Sequence, residues 1–544
     1  MAEVYEGHGL LDEGNQGDRK GVERDREVAV RAATRREAGM KGELIVFQEN
    51  KVEVRKRLKD GSIDYLDLTS WSFQDRLFGF LLEERFFEWC GASYPMPRER
   101  ENIPIWFLLA CAIQMKLHRT AAFHRLGYIL RSGSILTRMR FNVGLKGGGF
   151  NEKNKKRREI AIDPDTARKF FKDTEASGVE HWYNTEVQGW LRRHRGYSDK
   201  EGIYILDPTL IALPDNPNYK EAALLPLDQE GRYVDVKKLS PAERKRFKYT
   251  RTYQLTLLLH YSRQDDYFMF AGGHLGPGNE SGLKRGEELV DQFVSKIGKG
   301  VIKLLIMDRE YIDGGMITRF KKDYGIDSLV PLKSNMHALL DALGISRIEK
   351  MNWVKYDEVR DESGKVVEVE EVAGVGEVES WESCKVPLYV VLVRTRKADG
   401  RTEIWALAST KEFRDPREPR KLYTGRVQIE ERIDQIKNCW WVGSFTTPNF
   451  NADTVHIFFV LLTYTLIQLY LKATHHEEFA TQTIETLRQE ERLGKDAVIV
   501  YAEKYFAVFD VDEYTDIILH LKSKAHQRMC RWIKKFRRKK IRAP

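Results

Sequence analysis

The 544-residue sequence has little cysteine. Its five thiols, Cys90, Cys111, Cys384, Cys439 and Cys530, contain no C-x-x-C pair. That spacing excludes zinc ribbons and disulfide scaffolds, and scattered thiols fit a reducing compartment. Long apolar runs are also missing. The most apolar stretch, Val455–Leu471, is interrupted by Thr463, Thr465 and Gln468. It falls short of the roughly 20 apolar residues of a spanning helix, so a buried core helix is expected there. The first residues lack the apolar core of a signal peptide, and the expected location is the cytoplasm. No internal repeat is visible. His475-His476-Glu477 lacks the i,i+4 histidines of a metalloprotease helix, and Gly374 and Gly376 lack the third glycine of a nucleotide fingerprint.

Charge and hydrophobicity are both ample. Hydrophobic residues make up 42%, aromatics 11% and charged residues 31%, with a formal net charge of +9. The chain is long enough for several domains with sizeable cores. The positive balance fits a polyanionic partner and equally a basic surface.

Residues 1–40 hold few apolar positions and read as a flexible polar arm. Residues 41–158 read as a helical N-terminal DNA-binding region, with apolar residues at helical spacing in Phe73–Trp89 and Ile103–Leu117. Within it, His118–Arg140 carries Arg119, Arg125, Arg131, Arg138 and Arg140 and no acid. Two helices about Ser132-Gly133-Ser134 suit either a helix-turn-helix-like DNA reader or a plain helical pair with a basic face. Lys146–Arg158 is a glycine- and lysine-rich linker, and residues 159–200 read as a helical connector.

From about residue 200 the period changes. Ile203–Leu206 is an apolar run ending at Asp207. Tyr253–Tyr261 and Tyr267–Ala271 resemble a hairpin pair, and Asp265 and Asp266 fall in its turn, away from the chemistry. Ser281 stands where it can cap a helix to about Ile297. Val301–Met307 is a buried strand ending at Asp308, a helix spans about Gly314–Tyr324, and Ser328–Leu332 is a further strand. Three strands, helix, strand, helix, strand is the order of a ribonuclease-H-like mixed sheet. The expected fold is therefore α/β: a core in two parts, 201–333 and 405–475, separated by a mostly β insertion at 334–404. An α-helical DNA-binding region precedes it. Residues 476–544 follow as a helical, basic C-terminal region for DNA contact or dimerisation. Lys522–Pro544 contains eleven Lys or Arg and no acid, with Trp532 and Phe536 interleaved.

The last core helix is expected at about Leu422–Cys439. At about 100° per residue, with Tyr423 at zero, Arg426, Glu430 and Lys437 fall at about 300°, 340° and 320°. Leu422, Ile429, Ile433 and Ile436 occupy the adjoining face, and Glu431 points elsewhere. Alone, this reads first as a solvated charged edge beside a core stripe, with an Arg426–Glu430 pair at i,i+4. Asp207 and Asp308 change the weighing. Each is expected at the end of a strand, and the two strands are neighbours in this topology, so both carboxylates meet the helix at one end of the sheet. Three close carboxylates repel one another unless cations intervene, and hard oxygen ligands suit Mg²⁺ or Mn²⁺. Two such ions can stabilise the attacking and leaving oxygens at a phosphodiester.

The segment YTGRVQIEERIDQIK fits Y-(2)-R-(3)-E-(6)-K at Tyr423, Arg426, Glu430 and Lys437. It resembles the DDE transposases of bacterial insertion sequences that carry this Tyr-Arg-Glu-Lys signature. Met307–Tyr311 (MDREY) and the loop Gly278-Asn279-Glu280-Ser281 are similar to family segments, and a β insertion before the Glu is typical of the group. The resemblance covers about residues 200–475. It departs at Glu310, where the family often has Gly, and in the long proline-bearing stretch between Asp207 and Tyr253, which receives no assignment.

The resemblance implies Asp207, Asp308 and Glu430 as a metal-binding triad for Mg²⁺ or Mn²⁺, two ions per active site. It implies Tyr423, Arg426 and Lys437 as phosphate contacts and Trp405 as a stacking ring for an unpaired base, where a sheet-core tryptophan is the other reading. Lys333 is implied as a basic contact near the site. The implied partners are double-stranded DNA with terminal inverted repeats, target DNA and a second copy of the chain. The implied activity is cleavage at element ends with strand transfer. A ribonuclease-H-like nuclease without strand transfer, or a DNA-binding regulator without catalysis, are the alternatives.

Overall fold

In the computed structural model the described residues are 48–71, 73–97, 103–126, 162–228, 231–236, 239–240, 244, 247–263, 267–348, 350–475, 479, 486, 495–503 and 505–540. The polar arm 1–40, the helix-turn-helix or helical-pair reading of 127–140, the linker 146–158 and the turn acids Asp265 and Asp266 lie outside them.

Apolar runs of short period build one large sheet. Its strands are β1 (Ile203–Ala212), β2 (Ala223–Leu227), β3 (Lys248–Ser262), β4 (Tyr267–Pro277), β5 (Leu304–Met307) and β6 (Asp327–Pro331). Four more follow: β7 (Val354–Arg360), β8 (Val366–Glu377), β9 (Tyr389–Lys397) and β10 (Thr402–Ser409). β1 pairs antiparallel with β3 and parallel with β5, and β5 is parallel to β6. The far edge of β3 is shared by β2 and β4, which lie end to end along it. Beyond β6 the sheet continues through β10, β9, β8 and β7, all antiparallel, to give ten strands. The β segment between the two core parts thus extends the core sheet itself. β10 runs across residues 404 and 405, where the sequence suggested a boundary, because Leu407–Ser409 pair directly with Leu329–Pro331.

Helix α1 (Gly282–Ile297) covers one face. Its Val290, Phe293 and Val294 pack with Tyr204, Leu206, Leu305 and Met307, all buried; each such side chain contributes about 1.5–3 kcal/mol. The approach is close at Gly286, where a Cβ would stand 2.5 Å from Leu206 Cδ2 and 2.6 Å from Tyr311 Cε1. Ser281 precedes α1 but makes no side-chain cap. The Glu310 carboxylate instead accepts a hydrogen bond from the Gly282 N–H at 3.2 Å.

Helix α2 (Arg417–Asn438) buries Leu422, Ile429, Ile433 and Ile436, the stripe its periodicity predicts. Helix α3 (Phe450–Ala473) is long and apolar enough to cross a membrane, yet every residue from Asp453 to Leu471 is buried in protein. β4 and the helices Ile105–Leu117, Pro164–Asp173 and Ala176–Trp182 pack around it. The helix expected over Phe73–Trp89 is broken into Phe73–Glu83 and Phe86–Ala92 by Arg85, whose φ of 57° leaves the helical region.

Among the described residues, a second unit gathers 48–69, 497–503 and 505–540. Here the expectation of helix alone differs from what is found. Lys495–Ala502 and Tyr505–Asp510 are antiparallel strands in a four-stranded sheet with Gln48–Glu49 and Tyr65–Trp71. Val498, Val500, Ala507 and Phe509 pack on Val54, Leu58, Ile517 and Met529, while Ile499, Tyr501 and Phe506 form a cluster of their own. Alternation across a strand, with both faces apolar, is the reason. The basic tail begins as a helix, Ser523–Lys540.

Candidate active site

The sheet carries two aspartates to one place by unequal strand lengths. β5 stops at Met307, opposite Leu206, and Asp308 follows at once. β1 continues to Ala212 along β3, so Asp207 sits inside its strand and not at the end the sequence suggested. Asp207 is 4% exposed. Past the end of β5 its side of β1 is free to meet α2.

α2 contributes the third carboxylate and a guanidinium between all three. Arg426 Nη2 lies 2.9 Å from Asp207 Oδ1 and 3.2 Å from Asp308 Oδ2, and Arg426 Nη1 lies 3.0 Å from Glu430 Oε1. Arg426 Nε adds a bond to Asp207 Oδ1 at 3.2 Å. Asp207, Asp308 and Glu430 are therefore brought together, and the cation joining them is the arginine expected to hold phosphate. Among the described residues no group of three or more His, Cys, Asp or Glu side chains stands as a metal cluster.

The electrostatics follow from burial and this pairing. Burial pushes the Asp207 carboxyl up to about 6, against the pull of Arg426, with Asp308 and Glu430 adding to the rise. Burial works to lower the Arg426 guanidinium, but Asp207 and Asp308 outweigh it and hold it above its ordinary value. The Tyr423 phenol is raised by burial, opposed by Arg426, and the Lys437 ammonium is lowered by burial, opposed by Asp434 and Asp207.

The three carboxylates and their cations lie on a groove of about 880 Å³. Asp207, Asp308, Arg426, Glu430 and Lys437 all face it. Tyr423 does not line it but abuts Arg426. Trp405, on β10, is half-buried: its ring centroid is 6.0 Å from that of Tyr423 and 5.5 Å from the Arg420 guanidinium, and it does not line the groove. Lys333 is exposed just beyond β6, at the sheet end that carries Asp308, and also lies outside the lining. Glu431 is exposed on another side of α2, as its helical angle predicts.

The groove also has walls that the sequence reading did not assign. Gln254 of β3, Glu310, and Arg232 and Tyr233 after β2 line it. So do Asn279 and Glu280, in a loop held by its acid. Glu280 bonds His274 Nε2 at 2.9 Å and Arg285 at 2.7 Å, while His274 Nδ1 meets Glu180 at 2.7 Å. Burial opposes protonation of His274, but Glu180 and Glu280 outweigh it and raise its pKa. For Arg232 and Tyr233 the sequence offered no periodic signal, only a proline-bearing stretch.

No curated protein matches the chain. Residues 198–466 match the family model described as Transposase DDE domain, a span that holds the core sheet, all three carboxylates and most of α3.

Proposed function

We propose that this protein is a metal-dependent DNA transposase of the Tyr-Arg-Glu-Lys group of bacterial insertion sequences, cleaving DNA at element ends and joining them to target DNA. The observation that carries the reading is the meeting of Asp207, Asp308 and Glu430 about a single guanidinium within a transposase domain. The donor set fits hard divalent cations. All three carboxylates are oxygen ligands, and the groove is lined by six carboxylates, Asp207, Glu280, Asp308, Glu310, Glu430 and Asp434, against three cationic side chains, Arg232, Arg426 and Lys437. A polyanion enters such a groove only with added positive charge.

Asp207, Asp308 and Glu430 would hold Mg²⁺ or Mn²⁺, two ions per site. When bound, such ions activate a water or 3′-hydroxyl nucleophile and stabilise the leaving oxygen. The chain's own residues do the rest. The triad sets where the ions sit. Arg426, released from the carboxylates, would turn to a phosphate beside Lys437 and Tyr423. Lys333, near the same sheet end, would contact DNA leaving the groove, and Trp405 would stack on a base only outside the lining it now lacks. The partners are duplex DNA bearing terminal inverted repeats, target DNA and a second copy of the chain.

The test is incubation of the full chain with Mg²⁺, end-bearing duplex DNA and a target plasmid. The expected result is cleaved ends and joined products, both lost in EDTA. Cleavage without joined products would reduce the reading to a nuclease, and binding without cleavage would overturn it.

A further inference from the structure

The segment that pairs back onto β2 brings an aromatic residue, Tyr233, to the lining of the groove. β2 adds to the first residues of β3, and Gly231–Val234 lie back along the end of β2. Asp228 N–H donates to the Arg232 carbonyl at 2.9 Å, and Gly231 N–H donates to the Asp228 carbonyl at 3.1 Å. Gly231 has φ of 78°, where a residue without Cβ is at ease. The Asp228 carboxylate accepts from Arg232 N–H at 2.8 Å and from its Nε at 2.9 Å. Tyr233 bridges back to Leu227, and Val234 N–H donates to the Pro226 carbonyl at 3.0 Å. The ring is thus carried on a fastened segment, yet Tyr233 is 54% exposed.

Among the described residues lining the groove, Tyr233 is the one aromatic. Its neighbour Arg232 lines the groove too, with a side chain 73% exposed and its ion pair to Asp228 open to solvent. Such an exposed pair holds weakly, so the guanidinium can exchange it for a phosphate. A planar ring with open area beside an arginine, across from an acidic centre, is the combination that binds a nucleic acid strand: the ring stacks on a base and the guanidinium takes a backbone phosphate. The half-buried Trp405 ring, flanked by Tyr423 and Arg420 outside the lining, offers no such platform in the groove.

We propose that β2 together with Gly231–Val234 is a strand-binding element of this groove, with Tyr233 stacking on a base of single-stranded DNA and Arg232 holding its phosphate. The proposal rests on the transposase reading for the identity of the strand, not for the site.

The experiment measures binding of the full chain, with Ca²⁺ in place of Mg²⁺, to a single-stranded oligonucleotide carrying 2-aminopurine and to a blunt duplex. Tyr233→Ala is expected to weaken strand binding roughly tenfold and to relieve the 2-aminopurine quenching, with a smaller effect on the duplex. Tyr233→Phe and Tyr233→Trp keep both signals. Tyr249 is 48% exposed on β3 but does not line the groove, so Tyr249→Ala is the matched control and is expected to bind as wild type. Unchanged binding by Tyr233→Ala, or an equal loss in Tyr249→Ala, would overturn the proposal. Melting curves matching wild type exclude unfolding, and the ring-retaining variants answer the question if Tyr233→Ala does not fold. In parallel, wild type is assayed for Mg²⁺-dependent nicking of supercoiled plasmid. No nicking together with a Tyr233-dependent strand site sinks the transposase reading alone; nicking with no effect of Tyr233 sinks the strand site alone.

Discussion

Arg426 Nη2 stands 2.9 Å from Asp207 Oδ1, joining two residues 219 positions apart and neutralising a carboxylate that is 4% exposed. The same guanidinium reaches Asp308 and Glu430, so one helix side chain supplies the positive charge that three acids need. Removing it leaves a buried charge without its partner, at a cost of about 3–5 kcal/mol. Arg426→Gln is therefore expected to melt well below wild type in EDTA, and to recover more stability than wild type does when Mg²⁺ is added. Differential scanning fluorimetry across a Mg²⁺ series measures both. Equal Mg²⁺ responses in the two proteins would show that Arg426 and the metal do not share the site.

The neighbouring glutamates give a second expectation. Glu430 pairs with Arg426 in the groove and Glu431 is exposed on another side of α2. Glu430→Gln is expected to lower the cleavage rate by about a thousandfold or more, the scale lost when charge stabilisation at a reacting centre is removed, with DNA binding retained. Glu431→Gln should cleave within about twofold of wild type. Rates from single-turnover gels decide it, and a Glu430→Gln enzyme that cleaves normally with Mg²⁺ removes Glu430 from the triad.

Behind the sheet, Asp453 begins α3 and is 2% exposed, with its Oδ2 accepting from Tyr253 Oη at 3.3 Å. Burial raises its carboxyl to about 8, with Tyr253 opposing the shift and Glu221 adding to it. An unfolded Asp titrates near about 4. Between those values the folded chain holds a proton that the unfolded chain has released, so this group's contribution falls as pH rises from about 4 to 8. Asp453→Asn removes the ionisation and keeps the bond from Tyr253. Its stability advantage should be about 4 kcal/mol larger at pH 8 than at pH 5, at about 1.4 kcal/mol per pH unit. Urea melts at the two pH values check the slope; a constant difference would mean that Asp453 keeps an ordinary pKa.

Gly286 sets the distance between α1 and the strand of Asp207. A methyl there meets Leu206 Cδ2 at 2.5 Å and Tyr311 Cε1 at 2.6 Å. Overpacking of this kind costs about 1–3 kcal/mol. Gly286→Ala should lower stability by that amount in a denaturant melt, and by shifting Leu206 it should reduce cleavage more than DNA binding. A variant as stable as wild type would mean that the helix moves away at no cost.

Much of this molecule is legible in local pattern. The 3.6-residue period of α2 assigns Leu422, Ile429, Ile433 and Ile436 to the core and sets Glu430 apart from Glu431, because a helix fixes angular positions from spacing alone. The apolar runs before Asp207 and Asp308 announce neighbouring strands for the same kind of reason. The four residues of the Tyr-Arg-Glu-Lys spacing lie on one helix, so their separation survives folding unchanged.

What local pattern cannot convey is where a strand stops relative to its neighbour and what a long side chain reaches across a gap. β1 outruns β5 because β3 continues to pair with it, and this places Asp207 within its strand. Arg426 turns to three carboxylates because the tertiary fold puts their charges within its length. The strands Lys495–Ala502 and Tyr505–Asp510 are not announced locally because they are completed by Gln48–Glu49 and Tyr65–Trp71, far away in sequence, and the proline-bearing stretch of β2 becomes a strand only by pairing with β3. The sequence by itself determined which residue types the site would use and which helix face would show them. Only the tertiary structure decided which cation stands between the acids and which aromatic residue lines their groove, since both depend on contacts between elements that are not neighbours in sequence.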